Sequence, residues 1–240
     1  MSNLPVIIAH RTCPLDAPEN SISGMQKAAD LGADGVEVDS RISLAGVPVL
    51  MHDITLRRTT GVPGPVRLYP WLLIKRLRLK RGNGERVASL AQALDALPDS
   101  LVLAIELKST RAAAPALHLI RERKLEDRIL MWSYREGAVR YFADHAPEIE
   151  NALLRDDIDP EGLRKYLDDA RRFGARALSP HWAAITPQFV AEAHDRGFAV
   201  YSMNRDLESV PKKAATGLDG IVTDYPRQVR EILQGTAAAR

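Results

Sequence analysis

The feature that most limits how this chain can fold is an alternation. Short runs rich in Val, Ile and Leu recur at residues 6–9, 35–39, 101–107, 128–133, 151–155, 177–180, 198–203 and 220–223. Amphipathic stretches lie between them, at 21–31, 89–97, 112–124, 160–173, 186–196 and 207–216. Several open on a residue that can cap a helix, such as Ser21, Ser89 or Thr186 before Pro187, and stop near Gly32, Gly174, Gly197 or Gly217. Strands that alternate with helices must run parallel, each helix crossing back over the sheet. Eight such strands in 240 residues is the count of a (β/α)8 TIM barrel, an α/β fold that makes 1–240 a single domain. A doubly wound open sheet is the alternative. A ninth apolar run, 48–51, lies too close to Asp39 for a crossover helix. It reads as a β-hairpin excursion after the second strand. With Ala45-Gly46 as a two-residue turn, Asp39 falls opposite His52.

In a parallel barrel the reactive side chains stand at the C-terminal ends of the strands. There the first strand ends in His10-Arg11, the second in Glu37 and Asp39, and the third in Glu106 followed by Lys108. The hairpin returns His52, and Asn204 follows the seventh strand. Glu37 and Asp39 are two apart on a strand, so they share a face. Each residue alone has an ordinary structural explanation as a cap or a salt-bridge partner. Three acids converging on one rim would repel one another, and a hard divalent cation bound by oxygen resolves that. The expected ligands are Glu37, Asp39 and Glu106, and the ion Mg²⁺ or Ca²⁺, with Mn²⁺ as an alternative. His10 and His52 beside it supply a general acid and a general base. Arg11 and Lys108 suit a negatively charged substrate, and a phosphodiester meets that description.

The series His10-Arg11, Pro18-Glu19-Asn20, Gly32-Ala33-Asp34, Glu37-x-Asp39, Gly46-Val47-Pro48-Val49, His52-Asp53, Arg58-Thr59-Thr60, Glu106-x-Lys108 and Gly220-Ile221-Val222-Thr223-Asp224-Tyr225-Pro226 resembles the glycerophosphodiester phosphodiesterases over nearly the whole chain. The resemblance implies metal-dependent hydrolysis of glycerophosphodiesters to glycerol 3-phosphate and an alcohol. It implies metal ligation by Glu37, Asp39 and Glu106, catalysis by His10 and His52, and substrate contacts from Arg11, Lys108 and Asn204. Glu19, Asn20 and Asp53 match supporting polar positions, and Glu19 can approach the metal in that family. Two departures stand out: Thr12-Cys13 where the family usually has Gly after His-Arg, and Tyr201-Ser202-Met203-Asn204 where it has Trp-Thr-x-Asn. Both are expected to alter the pocket wall and so the substrate. An alternative is a related phosphodiesterase acting on lysophospholipids or a sugar phosphodiester, with a cyclic phosphate as product. A non-catalytic phosphate-binding module is disfavoured, since both histidines and all three acids remain.

Net charge is +2, too mild to argue for nucleic acid, and the one cysteine, Cys13, excludes an internal disulfide. No leader-like or membrane-spanning stretch is visible, so the expected location is cytoplasmic. The sequence leaves the oligomeric state open. Charge is concentrated at 67–86, where seven basic residues face one acid, Glu85. That segment reads as a short surface helix on the rim with its arginines solvated and its apolar stems packed down; the alternative is that it lies beside the pocket and attracts anionic substrates or touches an anionic surface.

Overall fold

The computed structural model describes residues 4–238. Its strands are β1 (Val6–Ala9), β2 (Gly35–Ile42), β3 (Pro48–Leu50), β4 (Val102–Leu107), β5 (Ile129–Ser133), β6 (Glu150–Leu154), β7 (Ala177–Ser179), β8 (Ala199–Met203) and β9 (Gly220–Thr223). All except β3 pair in parallel, in the order β1-β9-β8-β7-β6-β5-β4-β2, and β1 also pairs with β2. Eight strands therefore close into the expected (β/α)8 barrel.

The strands are buried on both faces, which is why they read as continuous apolar runs instead of alternating ones. Ile8, Ala104, Trp132, Ala152, Leu154, Ala177, Tyr201 and Val222 fill the barrel interior. Ile7, Val36, Val38, Leu103 and Ile105 point outward into the larger core beneath the helices. The helix starts follow their caps: Ser21 accepts from the Gly24 N–H, Thr186 from the Phe189 N–H, and Ser89 forms a capping box with Gln92. Two helices not singled out from the sequence, Glu136–His145 and Pro226–Ala238, complete the ring.

β3 folds back antiparallel on β2, as a hairpin should, but the register is shifted by one residue. Ser40 pairs with Leu50 and Ile42 with Pro48, and the Met51 N–H reaches the Asp39 carbonyl. The turn holds three residues, Leu44–Gly46, closed by the Ser43 N–H on the Val47 carbonyl. Gly46 stands at φ +81, the left-handed position that ends a three-residue hairpin. Met51, not His52, lies opposite Asp39.

The basic stretch is also not one helix. It is a turn at Val66–Leu68, a four-residue helix at Trp71–Ile74, and a loop closed by an Arg78–Arg86 bridge. Pro70 and the pair Gly82 and Gly84 break any longer helix. Beneath it, Val49, Met51, Leu56, Val66, Ile74, Leu79 and Val87 form a small core of their own. Burial of each such side chain stabilises by roughly 1.5–3 kcal/mol. This excursion is therefore anchored and not a loose loop.

Candidate active site

The C-terminal mouth of the barrel holds a cavity of about 220 Å³. On one side it is lined by His10, Arg11, Glu37, His52, Glu106 and Lys108. Parallel pairing sets Asp39 directly beside Glu106 on the neighbouring strand, and Glu37 beside Ala104. Since Ala104 lies in the interior layer, Glu37, Asp39 and Glu106 all project into the barrel. One oxygen from each lies within 4.8 Å of the others.

The surroundings fix each acid differently. The Arg11 N–H donates to Glu37 Oε2 at 2.8 Å, while Glu37 Oε1 is buried without a partner. Burial, followed by the charges of Asp39 and Glu106, pushes Glu37 well above the usual carboxylate range. Burial would raise Asp39 as well. Lys108, Arg11 and the Asn20 amide outweigh it and hold Asp39 below its ordinary value. Asn20 grips Asp39 at both ends: its Nδ2 donates to Oδ2 at 2.8 Å and its Oδ1 accepts from the Asp39 N–H at 2.7 Å. The Lys108 ammonium sits between Asp39 and Glu106, 2.7 Å from Asp39 Oδ1. An all-oxygen donor set, one buried oxygen lacking a partner and a lysine already drawn into the cluster all fit a hard divalent cation.

Each histidine is backed by a carboxylate. His10 Nδ1 meets Asp224 Oδ1 at 2.7 Å, and His52 Nδ1 meets Asp53 Oδ1 at 2.8 Å. With Nδ1 engaged, Nε2 is the ring nitrogen left for chemistry. Arg41 Nε donates to the His52 carbonyl at 2.8 Å. Arg58 forks onto both Asp53 oxygens, at 2.7 and 3.0 Å, and onto Glu19, at 2.5 and 2.7 Å. Hydrogen bonding from Arg58, against a smaller effect of burial, lowers Asp53 to about 2.

The turn that carries His10 is locally unusual. Arg11, Thr12 and Cys13 stand at φ 42, 60 and 63, a region costly for residues with a Cβ, above all a β-branched one. Thr12 Oγ1 accepts from the Ser21 N–H at 3.0 Å and holds its residue there. This geometry is what aims the Arg11 N–H at Glu37.

The structure brings His10, His52, Arg11, Lys108, Glu37, Asp39 and Glu106 together, with Asn20 and Asp53 in contact with them. Glu19, Asn204, Thr12 and Cys13 stand apart from this group. Glu19 lies outside the carboxylate cluster, because the Arg58 fork takes both its oxygens. Asn204 does not line the cavity: its Nδ2 donates to the Asp206 carbonyl and its neighbours Met203 and Arg205 form the wall. Thr12 and Cys13 do not form the wall either, and burial pushes the Cys13 thiol up to about 12. Tyr201 turns down the barrel to donate to Glu150 at 2.8 Å.

The rest of the lining was not singled out from the sequence. It contains Trp132, Tyr134, Leu154, Asp156, His181, Trp182 and Arg205. All lie at or just beyond the C-terminal ends of β5 to β8, as Asp224 does for β9. The rule that found His10 and Glu37 would have found them had it been applied to every strand.

The sequence model of the Glycerophosphoryl diester phosphodiesterase family matches residues 10–228. A glycerophosphodiester phosphodiesterase of Caldanaerobacter subterraneus subsp. tengcongensis is 30% identical over 241 residues, covering 95% of this chain and 98% of its own length. Among solved structures, a glycerophosphodiester phosphodiesterase of Agrobacterium tumefaciens superposes with a TM-score of 0.82 at 25% identity, covering 94% of this chain and 99% of that one. An Oleispira antarctica phosphodiesterase, solved in complex with the product sn-glycerol-3-phosphate, superposes with a TM-score of 0.87 at 24% identity, covering 96% of this chain and 97% of that one.

Proposed function

Because the chain belongs to the glycerophosphoryl diester phosphodiesterase family, we propose that it hydrolyses glycerophosphodiesters to glycerol 3-phosphate and an alcohol by histidine acid–base catalysis at a divalent-metal site. The observation that carries this reading is the pairing of two elements in one cavity. A cluster of three carboxylates fills one side, and two histidines, each with Nδ1 tied to a carboxylate, border it. We read the barrel as one domain, with the hairpin excursion as part of its rim.

Glu37, Asp39 and Glu106 would hold the cation, which supplies Lewis-acid neutralisation of a phosphoryl oxygen when bound. Asn20 keeps Asp39 turned toward that position. The guanidinium of Arg11 and the ammonium of Lys108 compensate charge on the non-bridging oxygens. One histidine takes a proton at Nε2 from the attacking hydroxyl. The other returns a proton at Nε2 to the departing alkoxide, the two together spanning the displacement. Asp224 and Asp53 fix the tautomers that leave each Nε2 free. The Arg58 fork keeps Asp53 ionised and Glu19 keeps Arg58 in place, so both act through His52 and not on substrate.

A panel of glycerophosphodiesters, assayed for released phosphomonoester before and after metal stripping, tests the reading. Stripped enzyme should be inactive, and added Mg²⁺, Ca²⁺ or Mn²⁺ should restore turnover. Glu37→Gln and Asp39→Asn should lose metal affinity measured by calorimetry, each having deleted a charged ligand. Full turnover by stripped enzyme contradicts the metal site. A cyclic phosphate as the final product would move the chain to the related phosphodiesterases.

A further inference from the structure

The excursion between β3 and the helix Leu90–Asp95 has a surface that its own packing does not use. Its underside is filled by the small core described above. Its outer side leaves Ile54, Leu68, Leu72 and Leu73 exposed, Ile54 at 64% and Leu72 at 63%. The hairpin tip adds exposed Leu44, tied on by its N–H to the Tyr69 carbonyl at 3.0 Å. Ile54 is joined to the same layer by the Val66 N–H on its carbonyl at 2.9 Å. Single exposed aliphatics are ordinary on any protein; five on one loop system are not.

The same excursion is strongly basic. Residues 54–86 contain nine Lys or Arg and one acid, Glu85. Arg58 is taken up by Glu19 and Asp53. The other eight have no carboxylate partner among the described residues. Lys80 and Arg81 reach only main-chain carbonyls, those of Arg57 and Pro14. Glu85 is turned away, accepting from both the N–H and the hydroxyl of Ser23.

We propose that this outer side is a docking surface for an anionic phospholipid bilayer. Unpaired cations are drawn to the negative surface potential, and aliphatic side chains among them gain by entering the headgroup–acyl boundary. A nucleic acid would also attract the cations, but it has nothing in which to bury Leu72 and Leu73. Its recognition also favours exposed rings for stacking, whereas Tyr69 and Trp71 are half-buried. The excursion begins at His52, which lines the cavity, so docking sets the cavity mouth beside the lipid surface. The contact does not depend on what the cavity hydrolyses.

Sedimentation with vesicles near physiological salt tests this. The full chain should pellet with vesicles containing phosphatidylglycerol and not with pure phosphatidylcholine. Lys75→Gln, Arg76→Gln and Arg78→Gln together should weaken partitioning, by about fivefold for each charge removed. Leu72→Ser with Leu73→Ser should leave a binding that high salt abolishes, where the unaltered chain retains part of it. None of these five residues lines the cavity, so turnover of a small soluble phosphodiester should be unchanged, which also shows that the variants fold. Equal pelleting with neutral vesicles, no effect of either variant set, or preference for an RNA oligonucleotide in competition would overturn the proposal.

Discussion

His52 is held by a chain of charges: Asp53 on its Nδ1, Arg58 on Asp53, Glu19 on Arg58. The guanidinium is suited to this because its planar fork can give two parallel bonds to each of two carboxylates, which an ammonium cannot. Arg58→Gln should therefore lower kcat by about 10–100-fold, the usual scale for a lost partner that orients a functional group, with less change in KM. Added to His52→Ala, the same substitution should cost little more, since the residue it positions is gone. A pH dependence follows as well. Asp53 is depressed to about 2 from an unfolded value of about 3.9. Its stabilisation is complete above the unfolded value and is lost as pH falls through about 2. The difference in urea midpoint between the chain and its Arg58→Gln variant should be constant above about pH 4 and close as pH falls toward 2. A difference that persists unchanged at low pH would separate Arg58 from Asp53.

At the scale of elements, the strands were legible because burial on both faces demands apolar runs, and the helices because caps such as Ser89 announce them. Ser89→Ala removes the hydroxyl half of the capping box at Leu90–Asp95, leaving the Ser89 N–H on the Gln92 side chain, and should destabilise by about 1 kcal/mol, read from denaturant unfolding. No change in midpoint would mean that the bridge between Val49 and Ser89 fixes this start without the side chain. What was not legible were the turns. Gly46 can end a two-residue or a three-residue hairpin, and the sequence does not distinguish them; the one-residue difference moves every cross-strand pair. Position along the chain also does not reveal orientation, so Asn204 turned into Asp206 while Arg205 took the wall. Thr12 looked like a pocket residue because glycine is usual there. The structure explains it as a left-handed position secured by a hydroxyl bond to Ser21.

For the molecule as a whole, the barrel brings to one mouth residues as distant as His10 and Asp224, whose pairing spans 214 positions. That convergence was partly legible, since strand ends mark the rim. The Arg58 fork depends on side-chain directions that no spacing rule supplies. Among the described residues no helix is long and apolar enough to cross a membrane, and positive charge gathers on the excursion beside the cavity. At that mouth the carboxylate cluster and the two histidines are expected to act together on a phosphodiester. The most direct measurement is a phosphorus-31 spectrum of a glycerophosphodiester incubated with the metal-loaded chain, with His10→Ala and with His52→Ala. A glycerol 3-phosphate signal should grow with the unaltered chain and slow by roughly 10²–10⁴-fold in each variant, while both variants still bind the metal. Near-normal formation of that signal by both variants, or none by the unaltered chain, would contradict the account.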